Sequence, residues 1–277
     1  MFNRLKLALL KLSKVLVPLA GLSILIIFLY ITPPGILDKV GAVGYSVCHQ
    51  ISDHSFHFGN QQLPLCARCS GMYLGAVVGL IFLNLRYHHS AGTPRKGVIA
   101  LLILFGIAFA VDGSNSYLSL LKSISPQFKF LPDFYIPNNT LRLFTGSGVG
   151  LGIAVALFLS INQSLWKDWD TKPILRKPYD FFWLVALMLG IDLLVLPEWP
   201  WLLYPVAFIS AGGVLFLLTM IYTVLWTVIM GQENTFLHFG QAWLPILAGL
   251  TIALLQITVI DLLRLSLTHT WGGFPLG

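Results

Sequence analysis

Three cysteines are all this chain of 277 residues contains, and all lie between Cys48 and Cys69. Their order is Cys48-His49-Gln50, then, after an interval carrying His54 and His57, Cys66-Ala67-Arg68-Cys69. Thiolate and imidazole are the usual ligands of zinc, and three Cys with one His is a common structural zinc composition. Cys66 and Cys69, three residues apart, share one face of a helix. Pro64 suits the first turn of that helix, where its missing N–H costs nothing. A helix N-terminus also lowers a thiol pKa and favours the thiolate, which is both ligand and nucleophile. The residues therefore point to a metal site of Cys48, His49, Cys66 and Cys69. Zinc is the first expectation, with copper and iron as alternatives, and His54 or His57 as substitutes for the nitrogen ligand. Two other readings stay open: a redox-active Cys66–Cys69 disulfide, and small helix residues without chemistry. An odd number of cysteines argues mildly for ligation, or for one disulfide beside one reactive thiol.

The surroundings of this motif are hydrocarbon. The chain is 56% hydrophobic and 10% charged, with a mean hydropathy of +0.80, whereas soluble domains carry about 25% charged residues. A span needs roughly 20 apolar residues. Seven stretches qualify: Val15–Ile31, Leu63–Leu85, Gly97–Tyr117, Leu141–Ile161, Phe181–Leu196, Leu202–Met230 and Ala242–Leu265. The fifth is short, and either it or the second reads equally as a half-span. The expected fold is all-α, a polytopic transmembrane bundle of about seven spans in the cell membrane, its partner the lipid bilayer. Three regions follow: a signal-anchor helix over 1–32, a Cys/His-motif membrane domain over 33–161, and a three-helix membrane region over 162–277. Thr32-Pro33-Pro34-Gly35 is not a small-x-small cleavage site, so the first span reads as retained.

The net charge of +6 does not imply nucleic acid, because the basic residues sit in short connections as the positive-inside rule expects. Arg4, Lys6, Lys11 and Lys14 precede the first span; Arg86, Arg95 and Lys96 follow the second; Lys167, Lys172, Arg176 and Lys177 follow the fourth. The intervening connections are poorer, with Lys39 in one and Lys122 and Lys129 in another. This alternation predicts a cytoplasmic N-terminus, an external C-terminus and an extracytoplasmic cysteine motif. In that compartment a thiol persists only if ligated, paired or buried.

Polar residues within spans are expensive and mark functional sites by default. Arg68, Asp112, Asn139 and Arg142 fall at one expected depth, close to the cysteines, and form a supporting polar site; Asp112 is the available counter-ion of Arg68. Asp192, and an Asp261–Arg264 pair at i,i+3, lie toward the same face, where internal ion pairing is the plain reading. Gly71, Gly75 and Gly79 on the second span, and Gly146 and Gly150 on the fourth, repeat every four residues. Small residues let helix backbones approach closely in lipid, so these two spans are expected to touch; homo-oligomerisation through the same faces is the alternative.

The segment Cys48-His49-Gln50 … Ser55-Phe56 … Leu63-Pro64-Leu65-Cys66-Ala67-Arg68-Cys69-Ser70-Gly71 resembles a prokaryotic membrane family catalogued as domain of unknown function 2085. Asp112-Gly113 and Asn139-Thr-Leu-Arg142-Leu-Phe-Thr145-Gly146 match its further segments, with Ser70 and Met72 as small departures. The resemblance covers roughly Cys48 to Gly152 and implies a membrane fold without implying an activity. A nucleotide-binding P-loop, an H-E-x-x-H zinc-protease motif and a G-x-S-x-G elbow are absent. Three classes of function remain: a metal-site protein, a quinone-linked membrane thiol–disulfide oxidoreductase, and a small-solute or ion transporter. For the last, no inverted repeat is evident.

Overall fold

A computed structural model describes residues 2–59, 61–128, 130, 132 and 134–273. Met1, Lys129 and Gly277, with the side chains of Arg4 and Lys6, lie outside the described residues, so the parts of the topology reading that use them rest on sequence. The described chain is helical. Helix α1 (Phe2–Ile31) is followed by a short α2 (Ile36–Tyr45), then α3 (Ala67–Tyr87), α4 (Lys96–Ile124), α5 (Asn139–Leu165), α6 (Pro178–Val195), α7 (Pro200–Ile229) and α8 (Trp243–Thr268). Seven of these helices are long and apolar enough to cross a membrane, as the hydrocarbon runs predict. Helix α6, expected to be short, has 18 residues and so a length of about 27 Å, close to the hydrocarbon core of a bilayer.

Helices α3 and α5 form the centre. They run parallel with backbones in contact. A Cβ on Gly71 would strike the Leu143 carbonyl, one on Gly75 the Ser147 carbonyl, and one on Gly79 would come within 2.5 Å of the Ala154 side chain. From the other side, Gly146 lies against the Arg68 carbonyl and Gly150 against that of Met72. Both helices are well buried, with Leu74, Leu83, Leu143, Leu151 and Ala154 at most 2% exposed. Helix α7 closes over α3 at Gly213, which faces Tyr73 and Val77. Helices α1 and α4 are peripheral and leave Leu16, Leu19, Ile103 and Leu104 more than half exposed, the surface expected of side chains that face lipid.

The connections are short and mostly tied down. A two-stranded antiparallel hairpin, β1 (His57–Phe58) and β2 (Gln61–Gln62), lies between α2 and α3. At the opposite end, β3 (Ser90–Gly92) pairs in parallel with β4 (Asp170–Pro173). There Asn162 donates to the carbonyls of His88 (2.8 Å) and Ser90 (2.9 Å).

Candidate metal centre

Helix α2 delivers Cys48. The N–H of Cys48 turns back onto the Gly44 carbonyl at 2.9 Å, and Gly44 is where this turn meets the Pro64 carbonyl. A Cβ on Gly44 would collide with that oxygen, so only glycine permits the approach. Gln50 adopts a left-handed backbone, φ +51°. Its side-chain amide donates to Gly41 O (3.0 Å) and Pro64 O (2.7 Å). Gln62 in turn donates to Gln50 O (2.9 Å) and Ser55 Oγ (2.8 Å). Two amides thus fasten the loop that carries Cys48 to the segment that leads into α3.

Cys66 is the N-cap of α3 and Cys69 lies one turn further. The Sγ atoms of Cys48, Cys66 and Cys69 all lie within 4.8 Å of one another, and each thiol is free. Cys48 Sγ accepts backbone N–H groups from Cys66 (3.2 Å) and Gln50 (3.5 Å). Hydrogen bonds from the Cys66 and Cys69 side chains, aided by these two N–H groups, hold the Cys48 thiol well below its ordinary pKa despite burial. Leu65, Val214, Val43, Val47, Leu218 and Tyr73 wall the cluster. Three sulfurs in an apolar-walled pocket, one of them with its thiol pKa held down, match a soft or borderline metal ion.

The nitrogen ligands expected from the sequence do not join this set. His49 Nδ1 accepts the Ile51 N–H at 3.1 Å, which uses the lone pair of that tautomer. Its ring meets His54 edge-on at 5.4 Å. His54 is pushed down to about 4, first by burial and then by the positive charge of Arg142, so its imidazole is neutral near pH 7. His57 is engaged elsewhere, through its N–H to Glu198 (2.9 Å) and its ring to Ser52 (3.1 Å).

The supporting polar residues divide into two groups. Arg68 turns from the sulfurs and forms an ion pair with Asp112, which is 2% exposed. Arg68 Nη2 also donates to Asp112 O (3.1 Å) and Ser116 Oγ (2.8 Å). Asp112 further accepts from the Tyr135 hydroxyl (2.7 Å) and Thr145 Oγ1 (3.3 Å), so the network spans α3, α4 and α5. Burial, together with that bond to Asp112, raises Tyr135 to about 12. Asn139 and Arg142 make the second group. Asn139 donates to Ser55 O (3.1 Å), tying the start of α5 to the cysteine loop, and accepts from Arg142 Nη1 (2.8 Å). Arg142 Nε is buried without a hydrogen-bond partner among the described residues. Arg142, Arg68 and Cys66 all act electrostatically on His54, which puts them in one neighbourhood.

Sequence reasoning missed the main clamp. Arg264 on α8 reaches back to the cysteine loop, donating to Tyr45 O (2.6 Å), Cys48 O (2.5 Å) and His49 O (3.2 Å). Its guanidinium lies 3.8 Å from the Tyr45 ring centroid. The i,i+3 reading paired Arg264 with Asp261; the two groups do act on each other electrostatically, although both Asp261 carboxyl oxygens are buried without a hydrogen-bond partner among the described residues. The only signal available was a charged residue inside an apolar span. Gln50 and Gln62 stood in the motif, yet nothing local reveals that their amides bridge it.

Comparison with known proteins agrees with the geometry in extent. An uncharacterized protein of Methanothermobacter thermautotrophicus is 29% identical over 110 residues, 39% of this chain and 82% of the relative. An uncharacterized protein of Methanocaldococcus jannaschii is 32% identical over 94 residues, 34% of this chain and 58% of the relative. No solved structure matches. The family described as "Predicted membrane protein (DUF2085)" matches residues 48–158, from the first cysteine almost to the end of α5.

Proposed function

We propose that this multi-pass membrane protein holds one zinc ion on Cys48, Cys66 and Cys69, at the membrane boundary where α3 begins. The observation that carries the reading is the convergence of the three thiols, drawn from two separate segments. Zinc–sulfur bonds of about 2.3 Å place tetrahedral sulfurs about 3.8 Å apart, so sulfurs within 4.8 Å need only a small contraction. The fourth position belongs to His49 if Nδ1 exchanges its Ile51 bond for the metal, and otherwise to solvent or a substrate. Three protein ligands and one open position is the pattern of catalytic zinc, whereas a fourth protein ligand closes a structural site.

The test is elemental analysis of protein purified without chelators. Wild type is expected to carry one zinc per chain, with large losses in Cys48→Ser, Cys66→Ser and Cys69→Ser. His49→Ala decides the fourth ligand: retained metal assigns that position to solvent. Metal-free wild type with two of three thiols oxidised would instead support thiol–disulfide chemistry. That second reading rests on the two N–H groups aimed at Cys48 Sγ, which favour a nucleophilic thiolate.

A further inference from the structure

A second site stands at the other end of α3, about 30 Å from the cysteines at a rise of 1.5 Å per residue. There α3, α5, α7 and α8 enclose a cavity of about 360 Å³. Its walls are apolar, formed by Leu80, Phe158, Ile161, Phe216 and Met220. Ile81 and Phe216 are 55% and 46% exposed, so the cavity opens sideways on the lipid-facing flank. The volume falls in the range of small-molecule sites, about 300–1,000 Å³. An apolar cavity does not hold water well, and one open to the bilayer is filled by something that partitions into hydrocarbon.

Among the polar lining residues, Asn162, Thr219 and Thr223 donate to main-chain carbonyls. Asn84, His88 and His89 complete the polar lining. No hydrogen bond engages the side chain of Asn84 or the ring of His88 among the described residues. His89 Nδ1 lies 3.0 Å from Asp168, which leaves Nε2 available. The rings are already stacked: His88 on His89 at 4.3 Å and 7°, and His89 on Trp166 at 5.0 Å and 18°. His88 itself has an unusual backbone, φ +41°, as the C-cap of α3.

Charge selects against ionic heads. Helices α3 and α5 both end here, at Tyr87 and Leu165, and helix C-termini carry partial negative charge that opposes an anion. A cationic head would find no Asp or Glu in the lining; Asp168 beside it is already engaged by His89, and the helix ends offer only partial charges. What fits is flat, uncharged, able to hydrogen-bond to imidazole and amide, and attached to a tail that leaves between Ile81 and Phe216. From this the geometry points to a binding site for an isoprenoid-quinone-type amphiphile, its ring against His88 and its carbonyl or hydroxyl groups on Asn84, His88 and His89. The site is independent of the cysteine cluster and of the zinc reading.

The test is equilibrium binding of decyl-ubiquinone and menadione to the full chain in nanodiscs. Saturable binding at one site per chain is expected. His88→Ala, which removes the exposed end of the stack, and Met220→Trp, which fills the cavity, should each weaken it at least tenfold. Cys66→Ser should bind like wild type, which separates this site from the metal centre. His88 lies at a helix end, so its variant keeps the test informative if Met220→Trp does not fold. Absence of saturable binding to wild type would overturn the proposal, as would wild-type affinity in His88→Ala. So would retention of a phospholipid in the cavity against excess quinone, seen by native mass spectrometry, since that makes the site a lipid-chain slot.

Discussion

Arg264 donates to the carbonyl of Cys48 at 2.5 Å across 216 residues of chain. The same guanidinium holds the carbonyls of Tyr45 and His49. The family match ends at residue 158, so this clamp comes from outside the segment that carries the motif. Arginine is suited to the role because its planar fork presents several fixed donors and its face stacks on an aromatic ring. Arg264→Lys is expected to fold and insert but lose part of the clamp, lowering bound zinc and raising the reactivity of Cys48 toward a thiol reagent. Unchanged labelling in Arg264→Lys would remove the clamp from the account.

The Arg68–Asp112 pair is expected to behave as a buried ion pair. Removing one partner of such a pair costs about 3–5 kcal/mol, while replacing both with apolar residues of similar size is often nearly neutral. Arg68→Leu and Asp112→Leu should each reduce thermal stability and folded yield strongly, and the double variant should recover much of both. Additive losses in the double variant would show that the two side chains act separately.

Glycine contacts give a paired test. Gly75→Ala drives a methyl group into the Ser147 backbone, whereas nothing lies within 4 Å of a Cβ on Gly106. Overpacking a tight contact costs about 1–3 kcal/mol or more. Gly75→Ala should lower the melting temperature clearly, and Gly106→Ala should leave it level or slightly higher, because alanine is the better helix former.

Orientation is predicted from Lys and Arg alone. Reporters fused after Thr93 and after Glu198 should read as cytoplasmic and extracytoplasmic respectively. The opposite pattern would invert the bundle and place the cysteines in the cytoplasm.

The hydrocarbon runs made the seven long helices legible, because a span must be continuously apolar whatever packs around it. Boundaries shifted where composition and backbone disagree. Leu63, Pro64 and Leu65 are apolar but precede α3, while α4 continues past Tyr117 to Ile124 through Ser and Lys residues that hydropathy discounts. Helix α2 was invisible, since its ten residues are too few for a span and contain Gly41 and Gly44. At the site, Cys48, Cys66 and Cys69 were legible as the only thiols present. The state of His49 was not, because a backbone N–H two residues on occupies its ring nitrogen. Arg264 was hidden by distance along the chain.

The contact between α3 and α5 also sets a counting rule. Residues on a helix advance by about 100°, so Cys69 lies about 200° around α3 from Gly71, away from α5. The glycine ladder therefore works as an index mark, fixing the angle at which the sulfurs point toward Cys48. One residue inserted between Cys69 and Gly71 would leave the ladder engaged yet swing both thiols about a quarter-turn out of phase. Single-residue insertions and deletions in this two-residue interval should thus be absent from any relative that keeps both the cysteines and the glycine ladder.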